Sequence, residues 1–143
     1  MPPGPGASAY SPWPTRNFWQ PSAMAAWSMN AFALGAFTAA LGVLLGAFGA
    51  HALSDLPVAN LAWWNTGTHY LFIAATGMML NGVFERTRLT VFSPSMVLAL
   101  GVVLFSGSLY AMTLGAPRWL GMITPIGGIS LVAGFLWMGV RAL

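Results

Sequence analysis

The sequence predicts an all-α integral membrane protein: a bundle of four transmembrane helices preceded by an extended, proline-rich tail. Charged residues make up 5% of the chain and apolar residues 57%, and the mean hydropathy is +0.74. A water-soluble domain carries about 25% charged residues. The apolar residues form runs of roughly 20 residues or more, which is the length that a helix needs to cross about 30 Å of hydrocarbon.

The tail and the predicted spans divide the chain into two parts. Residues 1–23 form the tail and residues 24–143 the transmembrane domain, with helices at about 24–53, 63–84, 91–114 and 119–140. The loops between them are short, so any site must lie among the helices or at their ends. Thr124-Pro125 predicts a kink in the last helix, because proline removes a backbone hydrogen bond.

The tail combines proline and glycine with aromatic side chains. A proline-rich run is extended or irregular, yet Trp13, Phe18 and Trp19 are unusual in a plain flexible segment. Buried aromatic residues often anchor contacts between proteins. We therefore expect the tail to dock on a partner subunit through these side chains.

The arginines predict the orientation in a bacterial cytoplasmic (inner) membrane. With four spans, Arg16, Arg86, Arg88 and Arg141 lie on one side and Arg118 on the other. Because basic residues favour the cytoplasmic side, both termini are expected there. The sequence pI of about 10.2 reflects few charges and no basic cluster, so nucleic acid is not an expected partner. The absence of cysteine excludes disulfides and thiolate metal sites.

The first span carries glycines at seven-residue spacing. Gly35, Gly42 and Gly49 share one face, and Gly46 adds a second small residue one turn after Gly42. Small residues let helix backbones approach closely. This face either packs inside the bundle or receives a helix of a partner, and we include it among the predicted docking residues.

Polar side chains concentrate in the outer half of the predicted bundle, where they could hold a ligand or an ion. His69 lies about 9 Å below the predicted start of its helix. If the first helix continues far enough, His51 and Asp55 share a face, and the carboxylate can orient the imidazole. The same groups could simply fix the packing through hydrogen bonds, or line a half-channel. The candidates are His51, Asp55, Thr66, His69, Tyr70, Ser106, Ser108, Tyr110 and Thr124.

Neither a catalytic residue nor a metal site is predicted. The two histidines and the nearby aspartate lack the close spacing of metal ligands. A histidine on a membrane helix can also ligate the metal of a haem or a chlorophyll-type pigment. His51 and His69 are therefore candidates for binding such a cofactor.

Four pieces of the sequence occur in an order that matches a known family. They are GAFGAHAL at residues 46–53, W-x-x-T-G-x-x-Y at 63–70, LFSGSLY at 104–110 and I-T-P-x-G-G at 123–128. Over about residues 31–140 the chain resembles the small four-helix bacterial membrane proteins grouped as domain of unknown function 423, related to transmembrane protein 256. The resemblance implies a four-helix membrane fold but no established reaction. It also implies that family members carry a histidine where this chain has Ala74, and that the proline-rich tail is not typical of the family.

These features predict a non-enzymatic accessory subunit of a larger membrane protein complex. Its partners would be the lipid bilayer and other membrane subunits, with a photosynthetic or respiratory assembly as a candidate host. Two alternatives remain. One is a small transporter or channel that uses the outer polar cluster. The other is a subunit that binds a pigment or haem through His51 or His69.

Overall fold

The computed structural model describes residues 30–84 and 93–143. These residues form α1 (Ala31–Ala52), α2 (Val58–Phe84), α3 (Pro94–Thr113), a short 3-10 helix (Arg118–Met122) and α4 (Thr124–Arg141). All the elements of the described residues are helical, as predicted. Each helix packs mainly on the next one along the chain, and direct contact between α2 and α4 is slight. The helices therefore pack in chain order, with α2 and α3 each between two neighbours and α1 and α4 at the two ends of the series.

The first two helices are joined by a tight turn rather than by the longer loop that the sequence predicts. Asn30 caps α1, since its Oδ1 accepts a hydrogen bond from the Ala33 amide at 2.8 Å. The predicted start at residue 24 lies outside the described residues. α2 begins at Val58, not at residue 63. The helix begins before the apolar run because it includes the polar residue Asn60 in its first turn. The Asn60 amide donates a hydrogen bond to the Thr113 carbonyl at the end of α3.

The last two helices start at prolines. Ser93 caps α3 by accepting from the Met96 amide at 3.3 Å, and Pro94 follows in the first turn. Pro125 occupies the same place in α4. Pro125 therefore does not interrupt an α-helix as predicted, since proline is tolerated in a first turn, where its missing N–H has no helical partner. The residues from Arg118 to Met122 open the last candidate span, but as a 3-10 helix rather than an α-helix.

The core lies where α2, α3 and α4 meet. Its buried side chains are Leu71, Ala74, Met78, Leu98, Val102 and Leu131. Large apolar side chains such as Phe37, Leu44 and Ile129 are instead exposed on the outer surface. Among the described residues, three stretches are long and apolar enough to cross a membrane: Ala31–Ala52, Pro94–Thr113 and Arg118–Arg141. An apolar surface around a small core is the arrangement expected of a protein that lies in lipid.

Candidate functional site

The structure separates the predicted polar cluster into two sets. Ser106, Ser108, Tyr110 and Thr124 lie between helices and bond across them. The other set, His51, Asp55, Thr66, His69 and Tyr70, is exposed. The nine side chains therefore do not line one shared cavity.

A cluster of Trp64, Thr68 and Tyr110 joins α1, α2 and α3. The Thr68 hydroxyl donates to the Trp64 carbonyl at 3.0 Å and lies 3.0 Å from the Tyr110 hydroxyl. Because a threonine hydroxyl has a single proton, Tyr110 is the donor to Thr68. The Trp64 and Tyr110 rings are 4.4 Å apart, and the indole N–H donates to the Leu45 carbonyl at 2.9 Å.

Two serines of the FSGSLY piece bond to different neighbours. Ser106 Oγ donates to the Gly67 carbonyl of α2 at 2.7 Å. Ser108 Oγ donates to the Phe105 carbonyl at 2.9 Å and lies 2.7 Å from Thr124 Oγ1 at the start of α4. With the serine proton used within α3, Thr124 is the donor to Ser108. This piece therefore connects α3 to α2 on one side and to α4 on the other.

Further bonds between helices involve residues that sequence reasoning did not single out. Asn60 Nδ2 donates to the Thr113 carbonyl at 3.4 Å, and the single Thr113 hydroxyl proton is shared between the carbonyls of Asn60 at 3.1 Å and Leu109 at 2.9 Å. At the other end of α2, Asn81 Nδ2 donates to Ser95 Oγ at 2.7 Å, with both side chains buried. Small polar residues in apolar helices signal such bonds. The sequence does not show which helix supplies the partner.

Of the exposed set, three residues lie on the first hairpin, which α1 and α2 form. α1 ends at Ala52, so His51 and Asp55 do not share a helix face. The helix therefore does not bring the Asp55 carboxylate next to the His51 imidazole as predicted. Asp55 Oδ1 instead accepts from the Ser54 hydroxyl at 3.5 Å. The Thr66 hydroxyl donates to the Ala62 carbonyl of its own helix at 2.8 Å.

His69 lies further from the start of its helix than the sequence predicts. Counted from Val58, where α2 begins, it stands about 16 Å along the helix, near the middle. Its side chain is exposed, with the Tyr70 ring 6.1 Å away. Tyr70 in turn contacts Phe105 of α3 at 4.6 Å.

The glycine face of α1 is buried against α2. A Cβ at Gly35 would lie 2.6 Å from the Ala75 carbonyl oxygen, and one at Gly42 would lie 3.1 Å from the Phe72 ring. Gly49 is covered by the Trp64 ring, and Gly46 faces Thr68 more loosely. The interpretation of this face as a docking surface is therefore wrong, because α2 occupies it.

The other predicted docking residues are Trp13, Phe18 and Trp19, which lie outside the described residues. Their role therefore stays a prediction.

A groove runs along the outer side of the molecule between α2 and α4. A cavity of about 420 Å³ there is lined by His69, Ile73, Thr76, Leu80, Phe135 and Met138, among others. Ile73 and Phe135 also line a neighbouring cavity of about 440 Å³. We call these connected cavities and their continuation toward the C-termini of α2 and α4 the α2–α4 groove. His69 is the one imidazole in its lining, and the described residues hold no cluster of three or more metal-ligating side chains.

Comparison with known proteins places these features in a family. The family model described as "Protein of unknown function (DUF423)" matches residues 45–128. The UPF0382 inner membrane protein YgdD of Escherichia coli is 39% identical over 71% of this chain and 79% of its own length. A UPF0382 membrane protein of Staphylococcus haemolyticus is 40% identical over 73% of this chain and 88% of its own.

No solved structure matches the chain. The matched region runs from the end of α1 to the start of α4 and includes the bonds made by Ser106 and Ser108. The chain is a helical membrane protein that belongs to the DUF423 family.

Proposed function

We propose that this protein is a non-enzymatic accessory subunit of a larger membrane protein complex, with four transmembrane helices and both termini on the cytoplasmic side. One observation carries the proposal: His69 is exposed near the middle of α2. Ionisable side chains within membrane segments almost always face protein or a water-filled cavity. A partner subunit that covers this face would supply the polar contact that lipid cannot.

The interior supports a structural role. Buried polar side chains of the described residues all have hydrogen-bond partners, and those of α3 bond to neighbouring helices. Such bonds stabilise helix packing but leave fewer groups to bind a substrate. The transport alternative has less support, because Ser106, Ser108 and Tyr110 bond to other protein groups rather than line a path.

The position of the imidazole supports the same conclusion. The family resemblance implies a histidine at position 74, but Ala74 is fully buried in the core. A step of five residues along a helix turns the side chain to nearly the opposite face. This chain therefore has an alanine inside, where relatives would place an imidazole, and an imidazole on its outer face at His69.

The proposal treats α2 as the fourth span. α2 is 27 residues long, or about 40 Å, which exceeds the roughly 30 Å of a hydrocarbon core. It packs on both α1 and α3, and only residues 53–57 join it to α1. Since α1 is long and apolar enough to cross the membrane, the returning α2 would cross as well. With four spans, Arg16, Arg86, Arg88 and Arg141 fall on one side and only Arg118 on the other, which favours a cytoplasmic C-terminus.

The test is a pull-down of the tagged full chain from its native membranes in mild detergent, with partners identified by mass spectrometry. We expect a defined complex. His69→Leu should lower the recovered partner by about threefold, the effect of one lost polar contact between membrane helices. His51→Leu is the matched control, because it removes an exposed histidine at the end of α1. Recovery of the protein without partners, or equal recovery with both variants, would contradict the proposal.

A second function is favoured by the surroundings of His69. The imidazole borders a groove with Phe72 and Phe135, and aromatic, apolar walls suit a flat macrocycle whose metal takes a histidine ligand. The protein would then bind a haem or a chlorophyll-type pigment at its surface. The visible spectrum of the same purified sample is the test. An absorbance band that His69→Leu removes and His51→Leu retains would support this function, and a colourless sample would exclude it.

A further inference from the structure

The C-terminal end of the α2–α4 groove has a different chemical character from the rest. Its last cavity, of about 500 Å³, is lined by Asn81, Phe84, Met138, Gly139, Arg141 and Ala142. Met138 also lines the apolar cavity around His69, so the two cavities are neighbours along the groove. Each volume falls within the range of about 300–1,000 Å³ that is usual for ligand sites. The groove thus joins a polar mouth to an apolar channel.

The groove exists because α2 and α4 both pack on α3 but only slightly on each other. Gly134 brings α4 close to α3, since a Cβ there would lie 2.8 Å from Leu98. The Phe135 ring meets α2 at Gly77, where a Cβ would lie 2.6 Å from the ring. Beyond Phe135 the helices leave space between them, and a Cβ at Gly139 would meet nothing within 4 Å.

The length of the groove matches one leaflet of a bilayer. Arg141 is the last residue of α4, and Leu131 lies about 15 Å further into the helix. One leaflet contributes about half of the roughly 30 Å of hydrocarbon. With Arg141 at the surface, an acyl chain in the groove would pass the Phe135 ring, about 9 Å from Arg141 along the helix, and end near Leu131 and the middle of the membrane.

The mouth of the groove fits a phosphate. Arg141 is exposed at the end of the span, and a guanidinium binds phosphate oxygens in a bidentate manner. Arg141 and Asn81 also interact with other groups of the protein, but a guanidinium has five N–H donors and can bind phosphate in addition. Basic pockets between transmembrane helices are known sites for anionic headgroups.

We propose that the α2–α4 groove binds one anionic phospholipid, with its phosphate at Arg141 and an acyl chain against Leu80, Phe135 and Met138. The site requires only that α4 lies in the bilayer. The proposal does not rest on a partner subunit, and the acyl chain would occupy the Phe135 wall that a macrocycle at His69 would also need.

The experiment is native mass spectrometry of the purified full chain in detergent, titrated with phosphatidylglycerol or with phosphatidylcholine of the same acyl chains. We expect one tightly bound phosphatidylglycerol and weaker binding of phosphatidylcholine. Arg141→Gln should weaken phosphatidylglycerol binding by about tenfold, as expected for loss of a charged hydrogen-bonding partner. It should also abolish the preference between the lipids. Arg118→Gln, at the other end of the span, is the matched control and should change neither.

A second variant tests the channel rather than the charge. Gly139→Leu places a side chain in open space and should weaken binding of both lipids without unfolding the protein, which thermal unfolding of the same sample checks. Equal affinity of the parent for both lipids, or unchanged binding by Arg141→Gln, would overturn the headgroup assignment. Unchanged binding by Gly139→Leu would overturn the groove as the place of the acyl chain.

Discussion

Replacing Gly127 with alanine should push α3 and α4 apart. A Cβ at this position would lie 2.8 Å from the Gly101 carbonyl oxygen and closer still to the Phe105 amide nitrogen. Favourable contacts between heavy atoms lie at about 3.5–4.0 Å. The obstructing atoms belong to the α3 backbone and cannot rotate away, so the helices must separate by the order of 1 Å.

The magnitude follows from two opposing effects. Overpacking a closely packed site costs about 1–3 kcal/mol. Alanine in place of glycine favours the helix by up to about 1 kcal/mol. Separation of the helices should also weaken the Ser108–Thr124 bond, which lies close by at 2.7 Å; such bonds contribute about 0.6 kcal/mol in membranes. We therefore expect Gly127→Ala to lower the free energy of unfolding by about 1–2 kcal/mol.

The neighbouring glycine provides the control. A Cβ at Gly128 would lie 3.7 Å from the Phe105 ring, an ordinary contact, so Gly128→Ala should be neutral or slightly stabilising. The assay is reversible unfolding in mixed micelles of mild detergent and sodium dodecyl sulfate, followed by circular dichroism. Equal stability of the two alanine variants would refute the close approach of α3 and α4 at Gly127.

Two further predictions concern the interior contacts and the tail. A double-mutant cycle of Thr68→Val and Tyr110→Phe should give a coupling energy of about 0.6 kcal/mol in the same unfolding assay. Thr66→Val in place of Thr68→Val should give none, because the Thr66 hydroxyl bonds within its own helix, and coupling in this control would contradict the assigned contact. Deletion of residues 1–21 should release the protein from its complex and leave its unfolding unchanged. Full co-purification of the shortened protein would show that Trp13, Phe18 and Trp19 are not the anchors.

Helix positions were predicted best where the apolar runs coincide with the helices. α3 ends at Thr113, within one residue of the predicted end. The start of α2 was predicted too late because Asn60 is a residue type typical of loops. The sequence does not show its hydrogen-bond contacts with Thr113. That displaced start also explains why His69 stands further from the start of its helix than predicted. An error in where a helix begins changes the estimated distance of every residue from that end.

The candidate site was predicted as a set of residue types rather than as a geometry. Ser106, Ser108, Tyr110 and Thr124 were recognised as polar groups in an apolar helix environment. Their bonds to Gly67, Thr68 and one another depend on which helices are neighbours. Trp64 is buried, and its indole N–H donates to the Leu45 carbonyl of α1. Nothing in the local sequence shows that the Leu45 carbonyl is within its reach.

The sequence by itself determined that this protein is helical and lies in a membrane, because long apolar runs with so few charges have no other stable environment. It also determined that α1 has a face for close helix contact, since glycine removes the side chain that would hold another backbone away. Only the tertiary structure decided that α2 fills this face, that the polar groups of α3 bond to both its neighbours, and that His69 and the α2–α4 groove face outward. The physical reason is that a residue's type sets which contacts it can make, whereas the packing of the helices selects the partner.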